Sequence, residues 1–437
     1  MPRNTDRGKI DRLMWRAGFG GRPKQIDAMT KAGLSASVES LLRPRGRSLN
    51  GPAPRIDGAP IDPINTYGHD VLWWLDRAVR GEHSLVERMT FNWHDHFATS
   101  NDGVGDTRLM LKQYWTLRGG ALGKFSALAR AIAQDRAMQL FLSLANSEKD
   151  APNENFAREL FELFTLGVNN GYTEKDVREA ARALTGFTFD YDTKKFGFDP
   201  DRHDDGVKRI MGRTGRFMPL DVVDIAVSHK AHPAFICSKL WSYFSPRPCP
   251  PKLLRELART YRAAGTDVKP VLRIILNNKL LYAGLAEPDM VKSPFVYTAG
   301  LLRLTNQGVS DDSWTYRLDQ MGQVPFHPPN VSGWQSGPAW LSTSSIRARF
   351  DAANAAIADT IKDGSIPGTE TPAQSVASAL AATGRPRIGP RTANAMHRYS
   401  VQSVAGRTDD NVIKHYFPER QRVLRHILLA GPDAQVC

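Results

Sequence analysis

Cysteine is nearly missing from this chain: three among 437 residues, Cys237, Cys249 and Cys437, an odd number with no C-x-x-C spacing. That excludes a disulfide scaffold or a thiolate zinc finger as the organising principle, and leaves Cys237 as a small apolar core residue. No apolar run approaches the roughly 18 residues that a membrane span needs. The first twenty residues carry charges throughout and have no apolar h-region, so no secretory leader is expected and the chain reads as cytoplasmic. Alternating apolar and polar stretches are scarce as well, which points away from a sheet-based fold. There is no Walker loop, no GxGxxG after a strand, no GxSxG elbow and no HExxH. Those gaps argue against nucleotide hydrolysis, Rossmann cofactors, α/β-hydrolase chemistry and zincin proteolysis.

Basic charge is in excess, with a net +13. The denser groups (Arg43, Arg45 and Arg47; Arg385, Arg387 and Arg391; Arg420, Arg422 and Arg425) lie far apart, and no helix-turn-helix, finger or aromatic RNA-binding signature accompanies them. The reading is a solvated basic surface without a nucleic-acid signature.

What is abundant is helical periodicity. Apolar residues recur at helical spacing through 70–79, 85–97, 107–117, 122–133, 137–144, 220–228, 233–244, 253–264, 268–277, 295–304 and 344–361. Residues 44–63 shift to Pro, Gly and Arg, as a surface loop would. Between 187 and 211, FTFDY and VKRIM are spaced to form one small hairpin. The expectation is a mainly α chain: a large multi-helix bundle over residues 1–362 with one short embedded β-hairpin. A linker and a small helical appendix follow over 363–437. No internal repeat is visible.

Residues 152–187 concentrate charge where a simple core helix needs none. On a helical wheel Phe156, Leu160, Leu163 and Phe164 make an apolar face, while Glu154, Arg158 and Glu162 form a separate stripe. Gly167 ends this helix, and Thr173 with Asp176 three residues later reads as the capping box of the next. The segment NENFARELFELFTLG followed by GYTEKDVREAARALTGF resembles the signature of the bacterial domain-of-unknown-function 1800 family. RLMWRAGFGGRP, FNWHDHF, HPAFICSKLWSYF and PPNVSGWQSGPAWLSTSSIRARF agree with it in order. The resemblance spans nearly the whole chain and implies little mechanism. It implies that many relatives are exported through a twin-arginine signal. It also suggests a sulfatase-like protein as a partner that supplies chemistry.

Four groups of residues are candidates for function. His94 and His96 flank Asp95. On a helix, residues two apart diverge by about 200°, so one imidazole joins Glu154, Glu159 or His203 around a divalent metal, or both are buried and hydrogen-bonded within the bundle. Glu159 with Glu162 is either an acid/base pair or part of a salt-bridge stripe held by Arg158. Asn153 begins that helix. The loop Arg202–Lys208 sets His203, Asp205 and Lys208 together, the composition of a polar site and equally of an exposed turn; a His-x-Asp-Gly-x-Lys pattern here resembles the family's. Asn330, Trp334 and Trp340 lie in a proline-rich loop and offer flat faces beside an amide, for stacking on sugar-like rings or for plugging the core.

The reading is an enzyme acting on a polar, carbohydrate-like substrate in a His-, Glu- and Trp-lined pocket. Glu159, His203 and Asp205 are its catalytic candidates. Asn153, Arg158, Lys208, Asn330, Trp334 and Trp340 are the binding candidates, and His94, His96 and Glu154 the metal ligands. The alternative is a non-catalytic binding or assembly partner of a sulfatase-like protein.

Overall fold

In this computed structural model the chain is described for residues 6–190, 195–358, 360–361, 370–403, 405 and 410–437. Helices dominate these residues, and the strands among them form three two-stranded antiparallel pairs. None of these helices is long and apolar enough to cross a membrane. Contacts divide the chain into two compact units. One comprises Met1–Leu85, Asn277–Pro325 and Gln335–Cys437, and the other Val86–Leu276 with Phe326–Trp334.

The first unit is built around the helix Pro294–Leu304, which is apolar on all sides and buried from Pro294 to Arg303. Gly300 lies under Trp15: a Cβ there would meet the indole at 2.3 Å. Arg303 is buried in this helix, and its guanidinium donates to the carbonyls of Gly20 (3.0 Å), Val79 (2.9 Å) and Gly81 (3.0 Å). The last two belong to the end of the helix His69–Arg80, whose final carbonyls have no intrahelical donor. The C-terminal helices Pro372–Ala382, Pro390–Gln402 and Asp410–Ala430 share a small core of Ala379, Met396, Leu424 and Leu428.

These C-terminal helices also pack within the same unit as the N-terminal helix, so the division differs from the boundary expected at 362. The chain returns from Asp410–Ala430 onto Thr343–Ala358. Residues 435–437 then pair with 290–292 through Lys292 N–H to Gln435 O (2.9 Å) and Cys437 N–H to Met290 O (2.9 Å). Of the linker expected at 364–372, residues 364–369 lie outside the described residues, and Pro372 already begins the helix Pro372–Ala382. The basic surface reading also needs correction: Arg420 and Arg425 are buried, with Arg420 donating to Glu370 O at 2.6 Å and Arg425 to Thr360 O at 2.9 Å.

The second unit carries two hairpins where one was expected. Phe187–Asp190 pairs with Lys195–Phe198, and Lys208–Ile210 pairs with Arg213–Gly215. Met211 and Gly212 both have positive φ, 47° and 81°, so this second hairpin closes on a two-residue turn and VKRIM never reaches FTFD. Tyr191 of the expected strand lies outside the described residues.

Candidate functional site

The expected helix through Glu154–Phe164 forms, but only Asn155–Glu159 is α-helical; Leu160–Thr165 widens into a π turn. Leu166 N–H and Gly167 N–H both reach back to Phe161 O, at 2.9 and 3.1 Å. Such turns leave carbonyls without helical donors at the C-terminal end. Three basic side chains take them. Lys239 Nζ donates to Leu163 O (3.2 Å), His96 Nε2 to Phe164 O (3.0 Å) and His232 Nδ1 to Thr165 O (2.8 Å). His232 and Lys239 are seven residues apart on the helix His232–Phe244, two turns on one face, which is why both reach the same target.

Carbonyls only accept, so these contacts fix the imidazole tautomers. His96 carries its proton on Nε2, and its Nδ1 accepts from Lys239 Nζ at 3.3 Å. His232 carries its proton on Nδ1, and its Nε2 accepts from Tyr261 Oη at 2.9 Å. Both rings are buried and neutral. Burial, then the Lys239 charge, holds His96 well below the usual imidazole range, and burial takes His232 down to about 4.

His94 and Asp95 serve another purpose. They hold Phe326–Trp334 across the helix Ser84–His96. Phe326 N–H donates to His94 Nε2 (3.1 Å), Trp334 N–H donates to Asp95 Oδ1 (2.9 Å), and Asn101 N–H donates to Phe326 O (2.8 Å). Gly333 makes the approach possible. Its φ is +81°, and a Cβ would sit 2.3 Å from Asp95 Oδ1. Trp334 is buried with its face on Phe91, at 5.6 Å and 17° between planes. Trp340 is buried in the first unit, and Asn330 is exposed, its Oδ1 turned back to Ser332 N–H at 2.9 Å. The face of Trp334 against Phe91 is therefore already in use.

Arg158 organises the charged stripe. It pairs with Glu154 (3.1 Å), Glu162 (3.5 Å) and Glu174 (2.8 Å), the last from the next helix, which begins with the expected Thr173–Asp176 capping box. Glu159 stands apart, half-buried and with no hydrogen bond among the described residues. Burial, then Glu162, raises its carboxyl above the ordinary value. Asn153 is a local turn residue, its Oδ1 accepting from Asn155 N–H at 2.9 Å.

In the loop 202–208, His203 Nδ1 donates to Thr185 O at 2.9 Å. The Lys208 amine is buried and donates to Asp204 O and to Gly206 O, the latter at 3.1 Å, and burial lowers its pKa. Asp205 is exposed, 3.4 Å from Arg216. The carboxylate that does the work here is Asp204, bound to Arg182 at 2.6 Å. It stood in the same run of residues without a sequence pattern to single it out.

The structure does not bring His94, His96 and Glu154 together as a metal site. Each has the separate partner given above, and no group of three or more His, Cys, Asp or Glu suited to a metal occurs among the described residues.

What the geometry does assemble is a polar cluster on Ser84–His96 and His232–Phe244. Burial pushes the Asp95 carboxyl up to about 6 against the opposing pull of Trp334 N–H and Lys239. Burial pushes the Lys239 ammonium down, with Asp95 partly restoring it. Lys239 is exposed as a residue, yet its amine turns back to His96 and Leu163. Tyr243, on the same helix, donates to Arg88 O at 3.1 Å beneath the Arg88 guanidinium at 4.8 Å. A family model described as a protein of unknown function, DUF1800, matches residues 12–436. No curated protein and no solved structure matches the chain.

Proposed function

The chain belongs to the DUF1800 family, and we propose that it is a metal-independent enzyme that performs acid–base chemistry on a polar substrate at the Lys239 surface of its second unit. The observation that carries this reading is the cluster in which the Lys239 amine lies on His96 Nδ1 at 3.3 Å and on Leu163 O at 3.2 Å, with Asp95 next to His96 in sequence and acting on Lys239 through space. Burial raises the Asp95 carboxyl to about 6 and lowers the Lys239 ammonium, each charge partly offsetting the other, and the neutral His96 imidazole of fixed tautomer accepts from Lys239. Groups whose environments draw their titrations toward neutrality are the ones that exchange protons with a substrate near pH 7. In this reading Lys239 is the group that meets the substrate, Asp95 sets its charge, and His96 is a positioning residue. Glu159, half-buried and unpaired, is the second acid or base. The Trp334 ring supplies no free stacking surface against Phe91, so the substrate class is polar without a requirement for a sugar ring.

The test is competitive acylation of Lys239 in the full chain as a function of pH, together with ligand-observed NMR against a panel of polar fragments. Lys239 should titrate below the ordinary lysine value, and Asp95→Asn should lower it further by removing the neighbouring negative charge. Fragments bound by the wild type should be lost in Lys239→Met and kept in Glu154→Gln. A lysine titrating at its ordinary value, with no fragment sensitive to Lys239→Met, would overturn the reading.

A second reading is a non-catalytic chain that assembles with a sulfatase-like protein; its non-catalytic part is favoured by the internal backbone partners of His94, His96, His203 and His232. It predicts stable co-elution of the purified pair and no Lys239-dependent fragment binding.

A further inference from the structure

A cavity in the first unit is lined by Asp11, Arg12 and Trp15 of the helix Asp6–Arg16, by Lys292, and by Arg387 and Asp433 from the C-terminal segment. Its charges are unusual in being of both signs and incompletely paired. Asp11 accepts no hydrogen bond and makes no ion pair among the described residues, although Lys292, Arg387 and Arg12 all act on it through space. Asp433, by contrast, already accepts from Gly389 N–H at 2.6 Å. On the cationic side, Lys292 gives one of its three donors to Ala434 O at 2.7 Å and sits 3.7 Å above the Trp15 ring, which leaves donor capacity unspent. Arg12 uses both terminal nitrogens on Ala283 O and Gly284 O, while its buried Nε has no partner. The remaining wall is apolar, from Leu301, Leu304 and Leu428.

We propose that this cavity binds a small zwitterion, an α-amino acid with a short apolar side chain, with its ammonium on Asp11 and its carboxylate on Lys292 and Arg387. A simple anion meets Asp11 unfavourably, and a simple cation meets three positive side chains. A molecule carrying both charges satisfies both sets at once and removes the cost of leaving Asp11 unpaired in a desolvated place. Size agrees. The volume of about 50 Å³ takes roughly three to five waters at about 10–15 Å³ each, the bulk of a ligand with about five to eight heavy atoms. The leucine wall then accepts the side chain. This site is independent of the Lys239 chemistry, and neither proposal needs the other.

The experiment is calorimetric titration of the full chain with alanine, with acetate and ethylammonium as single-charge controls. Alanine should bind saturably at millimolar concentration, and each control about tenfold more weakly or worse. Asp11→Asn, which keeps the shape and breaks no hydrogen bond, should weaken alanine by about tenfold or more with unchanged circular dichroism. If that variant loses helix, the cavity-filling Leu304→Phe carries the same test. No saturable binding of alanine would overturn the proposal and leave a cavity that holds water only. So would acetate or ethylammonium binding as well as alanine, or an affinity that Asp11→Asn leaves unchanged.

Discussion

The two units satisfy leftover backbone carbonyls with different chemistry. In the first, arginines do most of it: Arg12 at Ala283 and Gly284, Arg303 at Gly20, Val79 and Gly81, Arg349 at Lys292 O, with Lys292 at Ala434 O. In the second, the carbonyls of Leu163, Phe164 and Thr165 are taken by Lys239 and two neutral histidines. A guanidinium keeps its charge at any ordinary pH, whereas an imidazole here works only while neutral. The comparison teaches that the carbonyl caps of the second unit are the ones lost in acid.

Breaking the arginine side should have the largest effect. Arg303→Met strands at least two buried carbonyls, each worth about 1–3 kcal/mol, so a loss of about 3–5 kcal/mol is expected by urea denaturation.

Acid sharpens the contrast next. His94 and His232 are held down to about 3 and about 4, while in the unfolded chain they take protons near 6.5. Their contribution is therefore complete above about 6.5 and is lost as pH falls through about 4 and 3. Asp95 runs the other way. Its folded value of about 6 lies above the unfolded one near 3.9, so its contribution is complete below about 3.9 and lost as pH rises through about 6. Together these three make the second unit on the order of 2–3 kcal/mol less stable at pH 5 than at pH 6.5. In the first unit Lys292 is held down to about 8, so its contribution is lost only as pH falls from about 10.4 through about 8, and it is flat in the acid window. Unfolding at the two pH values should show the acid loss in wild type and a smaller one in His232→Gln.

Gly333→Ala should cost about 2 kcal/mol, part from its positive φ and part from the contact with Asp95, read as a drop in melting temperature. Glu154→Gln is the control. Its exposed pairing with Arg158 should be worth less than about 1 kcal/mol.

Much of the helical frame was legible because most helices bury one stripe: Ser84–His96 and His69–Arg80 lie within a residue of where periodicity puts them. The hairpins were harder to read. Met211-Gly212 is a weak turn signal, and Asp57-Gly58, a strong one, turns Arg55–Ile56 onto Ala59–Pro60 inside a stretch whose prolines read as loop. Buried arginines left no trace, because backbone carbonyls have no sequence identity. The π turn was equally invisible, although the seven-residue spacing of His232 and Lys239 recorded the face that serves it. The His-Asp-His run was noticed for metal chemistry, and its real use, two imidazoles and a carboxylate each on a backbone group, follows from the 200° divergence already calculated.

The most direct test of this account is the state of His96. Long-range ¹H–¹⁵N spectra of the ¹⁵N-histidine-labelled full chain between pH 5 and 8 should show His96 neutral throughout, with its proton on Nε2. An imidazole that titrates near 6.5, or one protonated on Nδ1, would contradict a histidine that caps Phe164 O and accepts from Lys239.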